Sequence, residues 1–139
     1  MIRKINFPSL IILAFQISII LSCSSKISEK PNEIYKLWAG EKPPDDIIVL
    51  KGKYWQSGHF TKEYEMYLKL KASNSWIKQF VTQNKLRFVA NEPNYPSDAP
   101  DWFKPLSSFK VWEPSGFNQG SVIYVDYITG PMFIYEIQL

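Results

Sequence analysis

The sequence predicts an α+β domain: an antiparallel sheet of four to six strands with one main helix packed on it and a short N-terminal helix. Two short segments, around residues 34 and 76, place apolar residues at helical spacing. A longer segment, residues 58–72, alternates apolar and polar residues, as a half-exposed strand does. The last third of the chain is rich in β-branched and aromatic residues separated by turn formers, which is typical of antiparallel strands.

The first predicted helix has Asn32 as its N-cap and Gly40 at its end. Its apolar stripe consists of Ile34, Tyr35, Leu37 and Trp38. Residues 47–50 then form a brief aliphatic run that predicts a strand.

The clearest predicted element is one long strand over residues 58–72, with its polar face in water. Lys62 interrupts the apolar face and marks a candidate bulge. The apolar parity of this strand is Phe60, Tyr64, Met66, Leu68 and Leu70.

The main helix is predicted after residues 73–75, a Ser-Asn-Ser triplet that offers three N-caps, and before Asn84. A helix this short is not stable alone, so we expect it to pack on the sheet. Further strands are predicted at residues 86–90, 109–112, 121–127 and 132–138, with a long proline-rich loop at 91–105 and a hairpin turn at 129–130.

The first 22 residues differ from the rest of the chain. Arg3 and Lys4 precede a 15-residue apolar run that is shorter than the ~20 residues needed to span a bilayer. This layout is typical of a secretory signal peptide. It ends at Ile20-Leu21-Ser22-Cys23, and Cys23 is the only cysteine.

This tetrad resembles the lipobox of bacterial lipoproteins. The resemblance implies that Cys23 carries a diacylglycerol thioether, that cleavage occurs before it, and that its amino group is acylated, for example with palmitate. It further implies a cell-envelope protein anchored in the membrane. Ser24 stands where Asp would retain an enterobacterial-type lipoprotein in the inner membrane, so we expect the outer membrane, facing the periplasm. An ordinary cleaved signal with an incidental Cys23, and an uncleaved anchor helix, are the alternatives.

The expected organisation is a signal peptide at 1–22, a lipidated cysteine and tether at 23–32, and one globular domain at 33–139. Removal of the signal leaves 117 residues with 14 basic against 13 acidic side chains. Arg87 is then the only arginine, so nucleic-acid binding, which depends on clusters of basic residues, is not expected.

Candidate catalytic and metal-binding residues are few. His59, Glu63 and Glu65 share one parity of the predicted long strand, but the same pattern is typical of a solvated strand face. The acidic pairs Asp45-Asp46 and Asp98/Asp101 lack the glycine and the number of oxygens that a calcium loop needs. We therefore expect no catalytic set, metal or cofactor.

Aromatic residues in or near loops form a candidate recognition surface: Tyr95, Trp102, Phe103, Trp112 and Phe117. Ring faces beside amides and acids suit a glycan or peptide, although the same rings can also fill a small core. The leading hypothesis is a non-enzymatic, membrane-anchored binding or interaction module with an envelope protein or glycan partner. The alternative is a small periplasmic inhibitor or immunity-type protein against a toxin or hydrolase. A hydrolase using His59 is a third hypothesis.

Overall fold

The computed structural model describes residues 24–90, 93–128 and 130–139. The predicted signal peptide and Cys23 lie outside these residues, as does Thr129 of the predicted hairpin turn. No helix within the described ranges is long and apolar enough to cross a membrane.

Within these ranges the chain forms one antiparallel sheet of seven strands. The spatial order is β1-β2-β3-β7-β6-β5-β4. The strands are β1 (Lys26–Ser28), β2 (Ile48–Gln56), β3 (Tyr64–Lys71), β4 (Leu86–Ala90), β5 (Lys110–Pro114), β6 (Val122–Val125) and β7 (Pro131–Gln138).

The predicted α+β class and antiparallel sheet are confirmed, but the predicted count of four to six strands is too low. The additional strand is β1, which lies in the segment expected to be a tether. It pairs with the end of β2, where Lys26 is opposite Gln56 and Ser28 is opposite Tyr54. The three residues of β1 do not alternate or cluster in a way that predicts a strand, so this strand forms because β2 offers a partner for pairing.

Two helices, α1 (Pro31–Ala39) and α2 (Asn74–Gln83), join the core on one side of the sheet. The expectation that Asn32 caps α1 is wrong, because Pro31 occupies the first turn, where its missing N–H costs nothing, and Lys30 is the N-cap. Gly40 ends α1 in the left-handed region, at φ 79°. Ser73 caps α2 by accepting from the Trp76 N–H at 3.2 Å, and Asn84 follows its end.

The predicted long strand over residues 58–72 is wrong at its start, because β3 begins at Tyr64. Residues 57–63 instead connect β2 to β3, and the Ser57 N–H donates to the Glu63 carbonyl at 2.8 Å. Lys62 lies in this connection with φ 50° and is not a strand bulge. The register irregularity lies in β2, between Val49 and Lys51.

Both faces of the sheet are covered over much of their area, so the expected wet face of β3 is also wrong. On the helix face, Ile34 and Ile77 pack on a core that includes Leu68 and Ile134. On the opposite face, which we call the loop face, the described part of the β4–β5 connection (residues 93–109) covers an aromatic cluster. That cluster consists of Tyr67, Phe103, Phe109, Val111, Tyr124, Phe133 and Tyr135.

Candidate binding cleft

A cleft of about 400 Å³ opens on the helix face of the sheet. Residues from the last turn of α1 and from α2 line it, together with residues of the segment 117–121 that precedes β6. Its volume lies within the usual range of small-ligand sites, roughly 300–1,000 Å³. The side chains that matter for its chemistry are Trp38, Tyr64, Phe80, Phe117 and Glu136.

Among the described residues that line this cleft, Glu136 is the only carboxylate. Trp38 Nε1 donates to Glu136 Oε2 at 2.8 Å, and the Tyr64 hydroxyl donates to Glu136 Oε1. The register explains the second contact. Met66 pairs with Glu136, and Tyr64 lies two residues before Met66 in β3, on the same face of the strand. The side chains of Tyr64 and Glu136 therefore lie on the same face of adjacent strands.

Glu136 has neutral hydrogen-bond donors but no cation beside it. Among the described residues, the ion pairs are Lys26–Glu33 at 3.9 Å and Arg87–Glu113 at 3.3 Å. Each carboxylate oxygen of Glu136 accepts one hydrogen bond and retains a further lone pair. The cleft therefore presents a half-buried negative charge that can accept additional hydrogen bonds.

Tyr64 is held as a hydrogen-bond donor. Its burial, its hydrogen bond to Glu136 and the negative charge of that carboxylate together raise the pKa of the Tyr64 hydroxyl well above its ordinary value of 10. The hydroxyl therefore stays protonated in neutral solution and keeps one oxygen of Glu136 oriented.

The aromatic walls of the cleft are fixed by stacking. The Trp76 and Phe80 rings lie nearly parallel, with centroids 5.2 Å apart and planes at 12°. Phe80 also contacts Trp38, at 5.7 Å between centroids. Phe117 lies at the rim with 90% of its surface exposed. One side of the cleft is thus a rigid apolar platform, whereas the Phe117 ring is free to contact a ligand.

Two amide side chains at the cleft, those of Asn118 and Gln119, hydrogen-bond the backbone. Asn118 Oδ1 accepts from the N–H groups of Gly120 and Ser121, at 3.1 and 2.7 Å. Gln119 bonds the backbone of Leu139 through both its amide atoms. These two residues shape the wall, and Glu136 is the charged group that the described lining offers to a ligand.

The residues predicted as a recognition surface do not lie together on one surface. Phe103 has 0% exposure and contacts the rings of Tyr67 and Phe133, at 5.0 and 5.3 Å. The expectation that it contacts a partner is therefore wrong, and the reason is that residues 93–109 fold back onto the sheet. Tyr95 and Trp102 are half-buried against the same cluster.

The other two predicted recognition residues lie elsewhere. Trp112 is half-buried on the helix face, 5.8 Å from the Phe88 ring, and its Nε1 has no hydrogen-bond partner among the described residues. Phe117 alone of the five lines the cleft. The structure thus brings Tyr95, Trp102 and Phe103 together as a core cluster and separates Phe117 from them.

Sequence reasoning missed Trp38, Tyr64 and Glu136 as a group. Trp38 and Glu136 are 98 residues apart, so no local pattern connects them. One signal was present, because Glu136 continues the parity of the buried residues Met132 and Ile134 in β7. A carboxylate on the apolar parity of a strand needs a partner or a function.

The candidate catalytic residues of the third hypothesis are not on one strand face. His59 is exposed in the β2–β3 connection, whereas Glu65 lies in β3 and accepts from the hydroxyls of Tyr67 and Tyr135, both at 3.1 Å. Glu63 is half-buried at the end of the connection. Nowhere in the described chain do three or more His, Cys, Asp or Glu side chains form a group that could hold a metal ion.

Comparison with protein-family models, with curated proteins and with solved structures gave no match for this chain. The fold and the cleft define it as a small α+β domain with a single-carboxylate, aromatic-lined cleft on its helix face.

Proposed function

We propose that this chain is a lipid-anchored envelope protein whose cleft binds a ligand without chemical conversion. Glu136 carries the proposal, because it is a carboxylate without a cationic partner, positioned by Trp38 and Tyr64 between aromatic walls. A half-buried carboxylate without a cation beside it costs folding stability, and a ligand-binding role is a reason for a fold to retain one.

A glycan is the ligand class that best fits this chemistry. Sugar rings have apolar faces that pack on aromatic side chains, and Trp38, Phe80 and Phe117 supply such surfaces. Sugar hydroxyl and amide groups are hydrogen-bond donors, which the open lone pairs of Glu136 can accept. The lining has an acceptor and apolar walls, which is what a neutral donor-rich ligand requires.

Binding is favoured over hydrolysis by the composition of the cleft. Hydrolysis of a glycosidic bond ordinarily needs two carboxyl groups, one on each side of the bond. Among the described lining residues, Glu136 is the only carboxylate, and no His, Cys, Lys or Arg is present. The Ser121 hydroxyl accepts from the Ile137 N–H at 3.2 Å and donates to the Ile137 carbonyl at 3.4 Å, so the fold already uses it.

The binding test uses the lipidated protein in detergent, with the tetrasaccharide of N-acetylglucosamine as the probe. We expect saturable binding by calorimetry and a change in tryptophan fluorescence. Glu136→Gln should weaken binding at least tenfold, about 1.4 kcal/mol, because the amide nitrogen donates where the carboxylate accepted. The matched control is Glu113→Gln, a half-buried carboxylate in β5 outside the cleft, which should bind as the wild type does.

Absence of saturable binding to the wild-type protein, or equal affinity of the two variants, would contradict the glycan proposal. Capture of one stoichiometric enzyme from envelope extract, blocked by Phe117→Ala, would instead favour the inhibitor or immunity-type function.

The anchor is tested separately. Globomycin, which blocks the lipoprotein signal peptidase, should cause the precursor to accumulate, and Cys23→Ala should release the protein from membranes. If globomycin leaves processing unchanged, or if Cys23→Ala stays in the membrane fraction, the lipid anchor is contradicted. Neither result bears on ligand binding in the cleft.

A further inference from the structure

The predicted lipid attachment point is close to one particular end of the sheet. Only Ser24 and Ser25 separate Cys23 from Lys26, the first residue of β1. Three residue steps of extended chain reach at most about 11 Å. Lys26 pairs with Gln56, the last residue of β2, and Ser24 and Ser25 line a groove with residues of the β2–β3 connection. The described chain that follows Cys23 therefore starts beside this connection.

The surface at this end combines apolar and basic groups. Phe60 in the connection is 102% exposed, and Ile27 of β1 is 70% exposed beside its cross-strand partner Trp55. A shallow groove between residues 24–27 and 56–62 contains Lys26 and Lys62 and no carboxylate. We call residues 24–27 and 55–62 the anchor end.

Two nearby carboxylates, Glu33 and Glu63, leave the positive charge of the anchor end largely unneutralised. Glu33 contacts Lys26 at 3.9 Å, a long and exposed ion pair that contributes little. Glu63 is half-buried and accepts a long hydrogen bond from Thr61 Oγ1, at 3.5 Å. Lys62 has no ion pair with a described residue and is exposed.

Exposed aromatic side chains concentrate on this side of the molecule. Among the described residues, the exposed Phe and Trp side chains are Trp55, Phe60, Phe88 and Phe117. Trp55 and Phe60 belong to the anchor end. Phe117 precedes the start of β6, which lies beside the end of β7, and the end of β7 pairs with the start of β3. Phe117 is therefore at the same end of the strands as the β2–β3 connection. Exposed aromatic rings with nearby lysines are the combination that membrane interfaces favour.

We infer that the anchor end lies in the headgroup layer of the membrane that holds the lipidated Cys23. Phe60 and Ile27 enter the boundary between headgroups and acyl chains, and Lys26 and Lys62 contact lipid phosphates. This inference rests on the proposed lipid anchor. It places Tyr64 and the cleft close to the membrane surface, because Tyr64 begins β3 directly after the connection.

The experiment measures the depth of spin labels on the lipidated protein in vesicles of phosphatidylethanolamine and phosphatidylglycerol. Because Cys23 is the only native cysteine and its sulfur is blocked by lipid, an introduced cysteine is the sole thiol. Phe60→Cys and Ile27→Cys carry the label at the anchor end. The matched control is Ile128→Cys, 92% exposed in the β6–β7 turn. That turn lies at the other end of the strands, about 23 Å away along the eight residues of β3.

We expect the Phe60 label to collide at least fivefold less with a water-soluble nickel chelate, relative to oxygen, than the Ile128 label. The Ile27 label should be intermediate. Equal accessibility at Phe60 and Ile128 in protein shown by mass spectrometry to be lipidated would overturn the orientation alone. A free Cys23 thiol in the membrane fraction would overturn the anchor and the orientation together, whereas glycan binding is measured independently of both.

Discussion

The Cδ1 atom of Ile34 lies 2.7 Å from the point that a Cβ atom on Gly52 would occupy. Gly52 is in the interior of β2, where glycine is otherwise unfavourable, and Ile34 is the fully buried anchor of α1. The absent side chain therefore allows α1 to pack closely on the sheet. This close packing also sets the position of Trp38, one helical turn further along α1.

We predict that Gly52→Ala lowers the free energy of unfolding by about 1–3 kcal/mol, because the added methyl group overlaps Ile34. Urea unfolding followed by circular dichroism measures the effect. Gly116→Ala is the control, since no atom lies within 4 Å of its Cβ position. Adding Ile34→Val, which removes Cδ1, should cost less in the Gly52→Ala background than in the wild type. Equal costs would show that the overlap is relieved elsewhere.

Phe103→Ala should destabilise the domain by about 3–5 kcal/mol, because it removes a fully buried ring at the centre of the loop-face cluster. Phe117→Ala removes the same side chain from an exposed position and should change stability by less than about 0.5 kcal/mol. The denaturation midpoints of the two variants distinguish a core role from a surface role. A mild effect of Phe103→Ala would mean that residues 93–109 are not held by packing.

Ser73→Ala should cost about 1 kcal/mol, because the Trp76 N–H loses its acceptor at the start of α2. Asn74→Ala serves as the comparison, since Asn74 is exposed and is the first residue of the helix itself. Thermal unfolding of both variants measures the difference. Similar losses would assign the cap to the wrong residue of the triplet.

Alkaline pH should destabilise the fold through buried tyrosines. Burial, together with the charge of Glu65 and a hydrogen bond to it, raises the pKa of Tyr135 from 10 to about 12. The unfolded chain then loses this proton first, so the contribution to stability is full below about pH 10 and is lost as the pH rises towards about 12. Urea midpoints across this window should fall more steeply for the wild type than for Tyr135→Phe. Parallel curves would exclude Tyr135 as a contributor.

Elements with strong local signals were predictable. Short-range hydrogen bonding or backbone preference determines the α2 cap within the triplet 73–75, the end of α1 at Gly40 and the strand Leu86–Ala90. The start of β3 was predicted wrongly, because alternation of apolar and polar residues continues through the connection that contains Phe60. The pairing with β2 starts at Tyr64, opposite Gln56, and so sets the first residue of β3. The residue pattern of one strand does not show where its pairing with a neighbour begins.

The candidate site was less predictable than the fold. Aromatic residues near prolines suggested an exposed surface around Phe103, yet burial of the loop on the sheet made it core. Glu136 is one acidic residue in a strand by sequence, whereas in the fold α1 and β3 supply it with hydrogen-bond donors in the cleft.

By itself the sequence determined the α+β class, the two helices and the C-terminal strands, since each depends on periodicity or on adjacent residues. Only the tertiary structure decided that Lys26–Ser28 joins the sheet and that Phe103 is core. It also decided that Glu136 lies within hydrogen-bonding distance of Trp38, across 98 residues of chain. Such contacts follow from strand order and helix packing, because strand order and helix packing bring together residues that are far apart in the sequence.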